Sequence, residues 1–180
     1  TRLLGYLAGS DKEYTATIRL GQATSTDDAQ GDVISETSCS HLDNDIIIAA
    51  VRDFRGPIMQ RPSSVSAIKV DGKRAYARVR DGQEVELPAR AVTIHDLEVL
   101  DVRHGDTTVD VDVRVACSSG TYIRAIARDL GEALQVGGHL TVLRRTRSGQ
   151  FSSMKSLEQL RDHPDVIDLA TAAAAAFPVV

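Results

Sequence analysis

The sequence is poor in cysteine and has no long apolar run. Its two cysteines, Cys39 and Cys117, are too few for a disulfide framework or a four-ligand zinc site, so we expect free thiols in a reducing, cytoplasmic setting. The longest apolar stretches, residues 46–51 and 172–180, are much shorter than the roughly 20 residues of a membrane span. The chain opens on Thr1 without a basic-then-apolar leader, so we expect no secretory signal.

Several common catalytic motifs are also missing. The sequence contains no GxxxxGK phosphate loop, no GxSxG nucleophile elbow and no HExxH metal motif. The histidines lie at positions 41, 95, 104, 139 and 163, without the spacing of metal ligands. We therefore expect neither a metal nor a cofactor.

The composition is that of one globular domain, but the charges are unevenly distributed. Residues 55–80 contain seven basic residues and one acidic residue, and residues 122–147 contain five basic and two acidic residues. The remainder carries nine basic and 22 acidic residues, so the net charge of −4 conceals two cationic stretches. This pattern is typical of an acidic body that presents a polyanion-binding face. The alternative is that the charges mix in space and form solvated faces.

Alternation of apolar and polar residues predicts strands over residues 14–20 and 109–117, and a further strand near residues 140–144. Residues 21–32 are small and polar and predict a loop. Asp71-Gly72 is typical of a hairpin turn.

Helical spacing predicts a helix over residues 46–54, stopped by Gly56-Pro57, and a second helix from about residue 123. Ser118-Ser119-Gly120 offers an N-cap for the second helix, and Ser156 with Gln159 forms a capping box for a shorter one. Residues 172–176 could form a short helix or a frayed end. Strands and helices mix without regular βαβ alternation, so we expect an α+β fold.

Three features could carry chemistry, and each has a structural alternative. Arg124 lies in the first turn of a predicted helix, where a cation is disfavoured unless it meets an acid or an anionic ligand; it could also be simply solvated. Tyr14 could stack on a nucleobase or belong to the core. Asp27 and Asp28 could bind a metal, act as acid and base, or cap a turn.

Taken together and in order, longer motifs resemble one family. The matching runs are SDKEY and RLGQATSTDDAQG (residues 10–14 and 19–31), PSSVSAIKVDGKRAY (62–76) and CSSGTYIR (117–124), followed by RDLG (128–131), GHL (138–140) and LRR (143–145). They resemble the bacterial tRNA pseudouridine synthase B (TruB) family over nearly the whole chain.

The resemblance implies a largely antiparallel sheet flanked by helices, with a basic thumb loop at about residues 55–80. It implies isomerisation of the uridine at position 55 of the tRNA T loop to pseudouridine, by base flipping and without a cofactor. Its site residues map onto this sequence as follows: Tyr14 stacks on the flipped base, Arg124 pairs with the catalytic aspartate, Tyr122 and Leu143 contact the target nucleotide, Asp28 shapes the site, and Lys69, Lys73 and Arg74 contact phosphate and sugar.

One departure matters. The family's nucleophilic aspartate lies in a Gly-x-Leu-Asp-Pro motif that is absent from this chain. We therefore expect a fragment that is inactive alone: residues 1–177 as a partial catalytic domain, and 178–180 as the start of a connection to a C-terminal PUA domain. We expect a monomer that binds the T arm of tRNA and no membrane. Two other hypotheses stay open, a non-catalytic RNA-binding module that remodels tRNA and a metal-dependent hydrolase that uses Asp27 and Asp28.

Overall fold

The structure is a computed structural model. It describes residues 5, 8–66, 68–70, 72–81, 85, 87–152, 155–162, 164 and 167–176, and for residues 69, 70, 73, 74, 76, 79, 80 and 176 it describes the backbone alone.

The described elements fall into nine strands and five helices. The strands are β1 Lys12–Leu20, β2 Gln22–Thr24, β3 Val33–Glu36, β4 Gly56–Gln60, β5 Lys69–Val70, β6 Lys73–Arg74, β7 Arg90–His104, β8 Val109–Cys117 and β9 Gly138–Ser148. The helices are α1 Asn44–Arg52, α2 Ala75–Arg80, α3 Ile123–Ala133, α4 Leu157–Asp162 and α5 Leu169–Ala176. None of these helices, within the described residues, is long and apolar enough to cross a membrane.

A five-stranded antiparallel sheet in the order β4-β7-β8-β1-β9 forms the centre of the fold. The strict alternation of β8 produces it: the apolar residues Val109, Val111, Val113, Val115 and Cys117 are buried, while their neighbours face outward. The predicted strands at residues 14–20, 109–117 and 140–144 and the α+β class are therefore confirmed.

Helices cover one face of this sheet and close the core. Ile47 and Val51 of α1 join Ile126 and Leu130 of α3 in the same apolar cluster as β1 and β8. The opposite face carries charged residues in cross-strand ion pairs, such as Arg19 with Asp110 at 2.8 Å. The sheet is thus packed on one side and solvated on the other, as is common for antiparallel sheets.

Two local expectations are wrong. Ser118 does not cap α3, because its Oγ accepts from Thr93 N–H at 2.9 Å and its N–H donates to the Thr93 carbonyl at 2.8 Å, which extends the pairing between β7 and β8. The N-cap is Tyr122, which makes no side-chain capping bond. The expected loop at residues 21–32 is wrong only for Gln22–Thr24, which forms β2 and pairs with β3; residues 25–32 contain neither helix nor strand.

Other turn and cap predictions are confirmed. β5 and β6 pair as a hairpin across Gly72, whose φ is +82°, whereas Asp71 of the predicted turn lies outside the described residues. Ser156 and Gln159 bond reciprocally, with Ser156 N–H donating to Gln159 Oε1 at 2.8 Å and Gln159 N–H to Ser156 Oγ at 3.3 Å. Helix α1 ends at Arg52, before the Gly56-Pro57 stop, and Pro57 lies on the edge strand β4, where its missing N–H is tolerated.

Helix α3 approaches the start of β9 backbone to backbone. A Cβ on Gly131 would lie 2.2 Å from the Gly137 carbonyl carbon and the Gly138 nitrogen, and one on Gly138 would lie 2.4 Å from the Ala127 carbonyl oxygen. Only glycine fits there. This contact sets the distance between α3 and β9, the two elements that flank the site described next.

Candidate functional site

The loop that carries Asp27 and Asp28 is fixed to β9. Leu140 N–H donates to the Asp27 carbonyl at 3.0 Å, and Ala29 N–H donates to the Leu140 carbonyl at 2.8 Å. Asp27 adopts a φ of +60°, a left-handed conformation that aspartate tolerates better than most residues. The backbone at Asp27 therefore turns the two adjacent carboxylates toward α3.

Arg124, in the first turn of α3, binds this loop. Its Nη1 donates to Asp28 Oδ2 at 2.9 Å and to the Thr26 carbonyl at 3.4 Å. Asp28 Oδ1 in turn accepts from Thr26 Oγ1 at 2.6 Å and from Gln30 N–H at 3.1 Å. The cation that the sequence places at an unfavourable helix end thus has an acid partner.

The ionisation of Asp28 follows from these contacts. Partial burial opposes the charged form, but the hydrogen bonds from Thr26 and Gln30 and the charge of Arg124 outweigh it, so the pKa of Asp28 lies below its ordinary value. Asp28 is therefore an ionised partner of Arg124 at neutral pH.

Arg128, one turn further along α3, repeats this arrangement with the neighbouring carboxylate. It pairs with Asp27 at 3.3 Å and with Asp129 at 2.6 Å. Burial raises the pKa of Asp129, against the hydrogen bond and charge of Arg128. Arg128 Nη2 also donates to the Arg61 carbonyl at 2.7 Å. Two arginines at i and i+4 on one helix face therefore hold two successive aspartates.

An open pocket of about 400 Å³ lies between this loop, α3 and β9. The residues that line it are Asp28, Ala29, Gln30, Arg124, Leu140, Thr141, Val142 and Leu143. Its volume is within the range of about 300–1,000 Å³ typical of small-molecule sites. Its chemistry combines an ion pair on one wall with the exposed apolar side chain of Leu143 on the other. The structure thus brings together three of the predicted site residues, Asp28, Arg124 and Leu143.

Tyr14 is not among the lining residues but lies beside the pocket on the same face of the sheet. It faces Arg145 across the β1–β9 pair, and Leu143 faces Ala16, two residues along β1. Such diagonal neighbours are about 7–8 Å apart, within reach of an aromatic side chain. Tyr14 is half-buried against the core cluster, and burial raises its phenol pKa against a hydrogen bond with Arg145 that lowers it. Tyr14 is therefore partly packed against the core, and its stacking on a nucleobase stays a prediction.

Tyr122 lies at the head of α3, two residues before Arg124. Its backbone is held by Gln60, whose Oε1 accepts from Tyr122 N–H at 2.8 Å and whose Nε2 donates to the Tyr122 carbonyl at 3.1 Å. The other predicted contacts, Lys69, Lys73 and Arg74, lie on the β5–β6 hairpin, and their side chains lie outside what the structure describes.

Sequence reasoning missed the residues that hold the Asp27-Asp28 loop and the start of α3 in place through hydrogen bonds. It gave no role to Gln60, to Arg128 or to Ser63, whose Oγ donates to the Thr26 carbonyl at 3.3 Å. A usable signal for Arg128 is its spacing of four residues from Arg124 on the predicted helix, which places both arginines on one helix face. Gln60 offered no local signal, because its partner is 62 residues away.

The structure gives little support to a hydrolytic metal site. Asp27 and Asp28 are each engaged by an arginine at hydrogen-bond distance. Within the described residues, no group of three or more histidine, cysteine, aspartate or glutamate side chains could hold a metal ion. Two adjacent carboxylates already neutralised by guanidinium groups are poor ligands for a divalent cation.

The antiparallel sheet with helices on one face is also found among solved structures. The chain superimposes with a TM-score of 0.62 and 30% identity on a chain of the crystal structure of a Cbf5-Nop10-Gar1 complex, covering 98% of this chain and 44% of that one. It matches a structure of an H/ACA RNP bound to a substrate RNA containing 2′-deoxyuridine with a TM-score of 0.59 and 28% identity, covering 97% and 42%.

Sequence comparison identifies the family. Residues 1–123 match the TruB family pseudouridylate synthase N-terminal domain, and residues 124–170 match the tRNA pseudouridylate synthase B C-terminal domain. The tRNA pseudouridine synthase B of Corynebacterium glutamicum (strain R) is 55% identical over 183 residues, covering 100% of this chain and 62% of that protein. The same enzyme of Mycobacterium avium (strain 104) is 60% identical over 166 residues, covering 91% and 54%.

The chain belongs to the TruB family of pseudouridylate synthases. It spans less than two thirds of the length of these curated relatives.

Proposed function

We propose that the protein containing this chain is a tRNA pseudouridine synthase that isomerises the uridine at position 55 of the T loop. The observation that carries the proposal is the pocket lined by Asp28, Arg124 and Leu143, with Tyr14 beside it, in a chain of the TruB family. The names of the relatives support this class of reaction, and the residues that line the pocket support a site for it at this edge of the sheet.

The reaction is an isomerisation with no net redox change. The bond between ribose C1′ and uracil N1 breaks, the base turns, and a bond forms between C1′ and C5. C5 loses a proton and N1 gains one, so atoms and charge balance without an external reagent. This chemistry requires no cofactor, and the demands on the protein are to extract the base, orient it and exclude competing water.

The residues around the pocket suit those demands. Flipping a base out of a folded loop costs a few kcal/mol, which a stacking surface can offset. We assign the stacking to Tyr14 and the apolar contact with the target nucleotide to Leu143, which is 48% exposed in the free chain. Tyr122 contacts the same nucleotide from the head of α3. Arg124 supplies a fixed cation beside the reacting centre, and Asp28 holds that cation in place.

Recognition of the T arm falls to the cationic segment at residues 55–80. Lys69, Lys73 and Arg74 contact phosphate and sugar from the β5–β6 hairpin, and each neutralised phosphate adds to the salt dependence of binding. We expect the affinity for a T-arm stem-loop to fall steeply between low and physiological salt.

The nucleophile of the family's Gly-x-Leu-Asp-Pro motif is absent from these 180 residues. We therefore propose that residues 1–177 form a partial catalytic domain that does not turn over alone, and that residues 178–180 lead toward a PUA domain. We also propose that the complete protein is a cytoplasmic monomer.

The test is tritium release from a T-arm stem-loop that carries [5-³H]uridine, with the complete protein supplied with the upstream motif. The expected result is release of one tritium per target uridine and none from a stem-loop with cytidine at that position. Arg124→Gln should abolish release, whereas Arg103→Gln, on the opposite face of the sheet, should leave it unchanged. No release by the complete protein would overturn the proposal.

A second candidate function is a non-catalytic RNA-binding module, favoured by the absence of the nucleophile motif from this chain. The same assay separates the two: a complete natural protein that binds the stem-loop tightly but releases no tritium would support binding without catalysis.

A further inference from the structure

Gln60 is a buried polar residue whose two polar atoms serve one distant residue. It ends β4 and is 1% exposed. Its Oε1 accepts from Tyr122 N–H at 2.8 Å, and its Nε2 donates to the Tyr122 carbonyl at 3.1 Å. A buried carboxamide is costly unless both its donor and its acceptor are satisfied. Here the backbone of a single residue satisfies both.

Tyr122 needs an outside partner. It is the N-cap of α3 with φ −103° and ψ 108°, and its own side chain makes no capping bond. Its carbonyl already accepts from Ala125 N–H at 3.1 Å and Ile126 N–H at 3.3 Å, but its N–H precedes the helix and has no partner within it. The Gln60 carboxamide supplies that partner and hydrogen-bonds to the peptide units on both sides of the Tyr122 Cα. It thereby fixes the direction in which the tyrosine side chain leaves the backbone.

The same segment is tied to α3 at two further points. Immediately after Gln60, the Arg61 carbonyl accepts from Arg128 Nη2 at 2.7 Å, and the Val65 carbonyl accepts from Arg124 Nη2 at 2.8 Å. Residues 60–65 therefore run along the N-terminal half of α3, attached at its cap and at two successive turns. Gln60 is the attachment that acts directly on a predicted substrate contact.

We propose that Gln60 is a positioning residue that acts through Tyr122, orienting its side chain toward the flipped nucleotide. This inference rests on the proposed function, because Tyr122 needs a substrate to contact. Gln60 itself is buried and does not touch the substrate. Its loss should therefore slow turnover more than it weakens RNA binding, which depends chiefly on phosphate contacts elsewhere.

The first test replaces Gln60 in the complete protein by Gln60→Met, which keeps the length of the side chain and removes both hydrogen bonds. We expect kcat for tritium release to fall roughly 10- to 100-fold, the loss typical of a misplaced substrate contact, with KM changed by less than about threefold. In a Tyr122→Ala background the same substitution should have almost no further effect on kcat, because the residue it positions is gone. Val111→Ala, a core change in β8, controls for lost stability and should leave kcat unchanged.

The second test uses Gln60→Glu and pH. A protonated glutamic acid can accept from Tyr122 N–H and donate to its carbonyl, whereas the carboxylate can only accept. Burial raises the pKa of a carboxyl group, so the protonated form is accessible near neutral pH. We expect the kcat of Gln60→Glu, relative to the parent, to rise as the pH is lowered from 9 to 6, and that of Gln60→Met to remain flat.

The outcomes separate the inference from the function on which it rests. If the parent protein releases no tritium, the proposed function fails and this inference falls with it. If the parent is active but Gln60→Met loses no more than Val111→Ala, the positioning role is wrong. Two further results would overturn it. One is a fall in kcat from Gln60→Met that is as large in the Tyr122→Ala background as in the parent, and the other is a ratio of Gln60→Glu kcat to parent kcat that does not change with pH.

Discussion

Replacing Asp28 by asparagine tests the ion pair at the centre of the site. Asparagine keeps an oxygen that can accept from Thr26 and Gln30 but loses the charge that faces Arg124. The Arg124 and Asp28 side chains are 25% and 24% exposed, so the pair lies between a solvated surface pair and a buried one. Exposed pairs contribute up to about 1 kcal/mol, and removal of one partner of a buried pair costs about 3–5 kcal/mol. We expect Asp28→Asn to lower the free energy of unfolding by about 1–2 kcal/mol at pH 7.

The pH dependence of this difference has a defined sign. The pKa of Asp28 is lowered in the folded protein, so its contribution to stability is fully present above the unfolded pKa of about 3.9 and is lost as the pH falls through the folded value. Urea unfolding of the parent and of Asp28→Asn should therefore differ most at neutral pH and converge in acid.

The matched control is Asp110→Asn, which breaks the Arg19–Asp110 pair on the opposite face of the sheet, where the side chains are 37% and 23% exposed. It should cost a similar or smaller amount of stability and leave tritium release unchanged, whereas Asp28→Asn should reduce release at least about tenfold through a displaced Arg124. Equal unfolding free energies for the parent and Asp28→Asn at pH 7, or equal activity of the two variants, would refute the reasoning.

Three further substitutions test the site and its support. Tyr14→Ala should raise the activation free energy by about 1–3 kcal/mol of lost stacking, read as kcat in the tritium assay; unchanged turnover would mean that another residue stacks on the base. Arg128→Gln should release Asp27 and the Arg61 carbonyl, so amide hydrogen exchange in residues 24–30 should become faster. Unchanged exchange rates would show that Arg128 does not hold this loop in place. Gly131→Ala should cost at least about 2 kcal/mol in thermal unfolding, because its Cβ would meet the backbone of β9 at 2.2 Å; a neutral effect would show that α3 can retreat freely.

Local patterns in the sequence predict much of this fold. The alternation in β1 and β8 marks the two adjacent strands of the sheet, and the apolar stripe of α3 marks its covering helix. The hairpin around Gly72 and the capping box at Ser156 are likewise local and were predicted. In each case the residues that determine the structure lie within a few positions of one another.

The remaining features depend on contacts between residues that are far apart in the sequence. β7 is the longest strand, yet its register shifts between Ile94 and Asp96 and between Val99 and Asp101, so its buried positions do not keep a period of two. The N–H of Tyr122, the N-cap of α3, finds its partner in Gln60 on the edge strand β4, 62 residues away in the sequence. Family resemblance named Arg124 and Asp28, but their pairing with each other is visible only in three dimensions.

The hydrogen bonding of Arg124 has a consequence for what the protein can still bind. Its bonds to the described residues occupy Nη1 twice and Nη2 once, toward Thr26, Asp28 and Val65. A guanidinium group has five N–H donors, and these three bonds use at most three of them. The contacts with the described residues therefore leave Arg124 able to donate to a second acid without releasing the first. One immobilised cation can thus serve two anions at once.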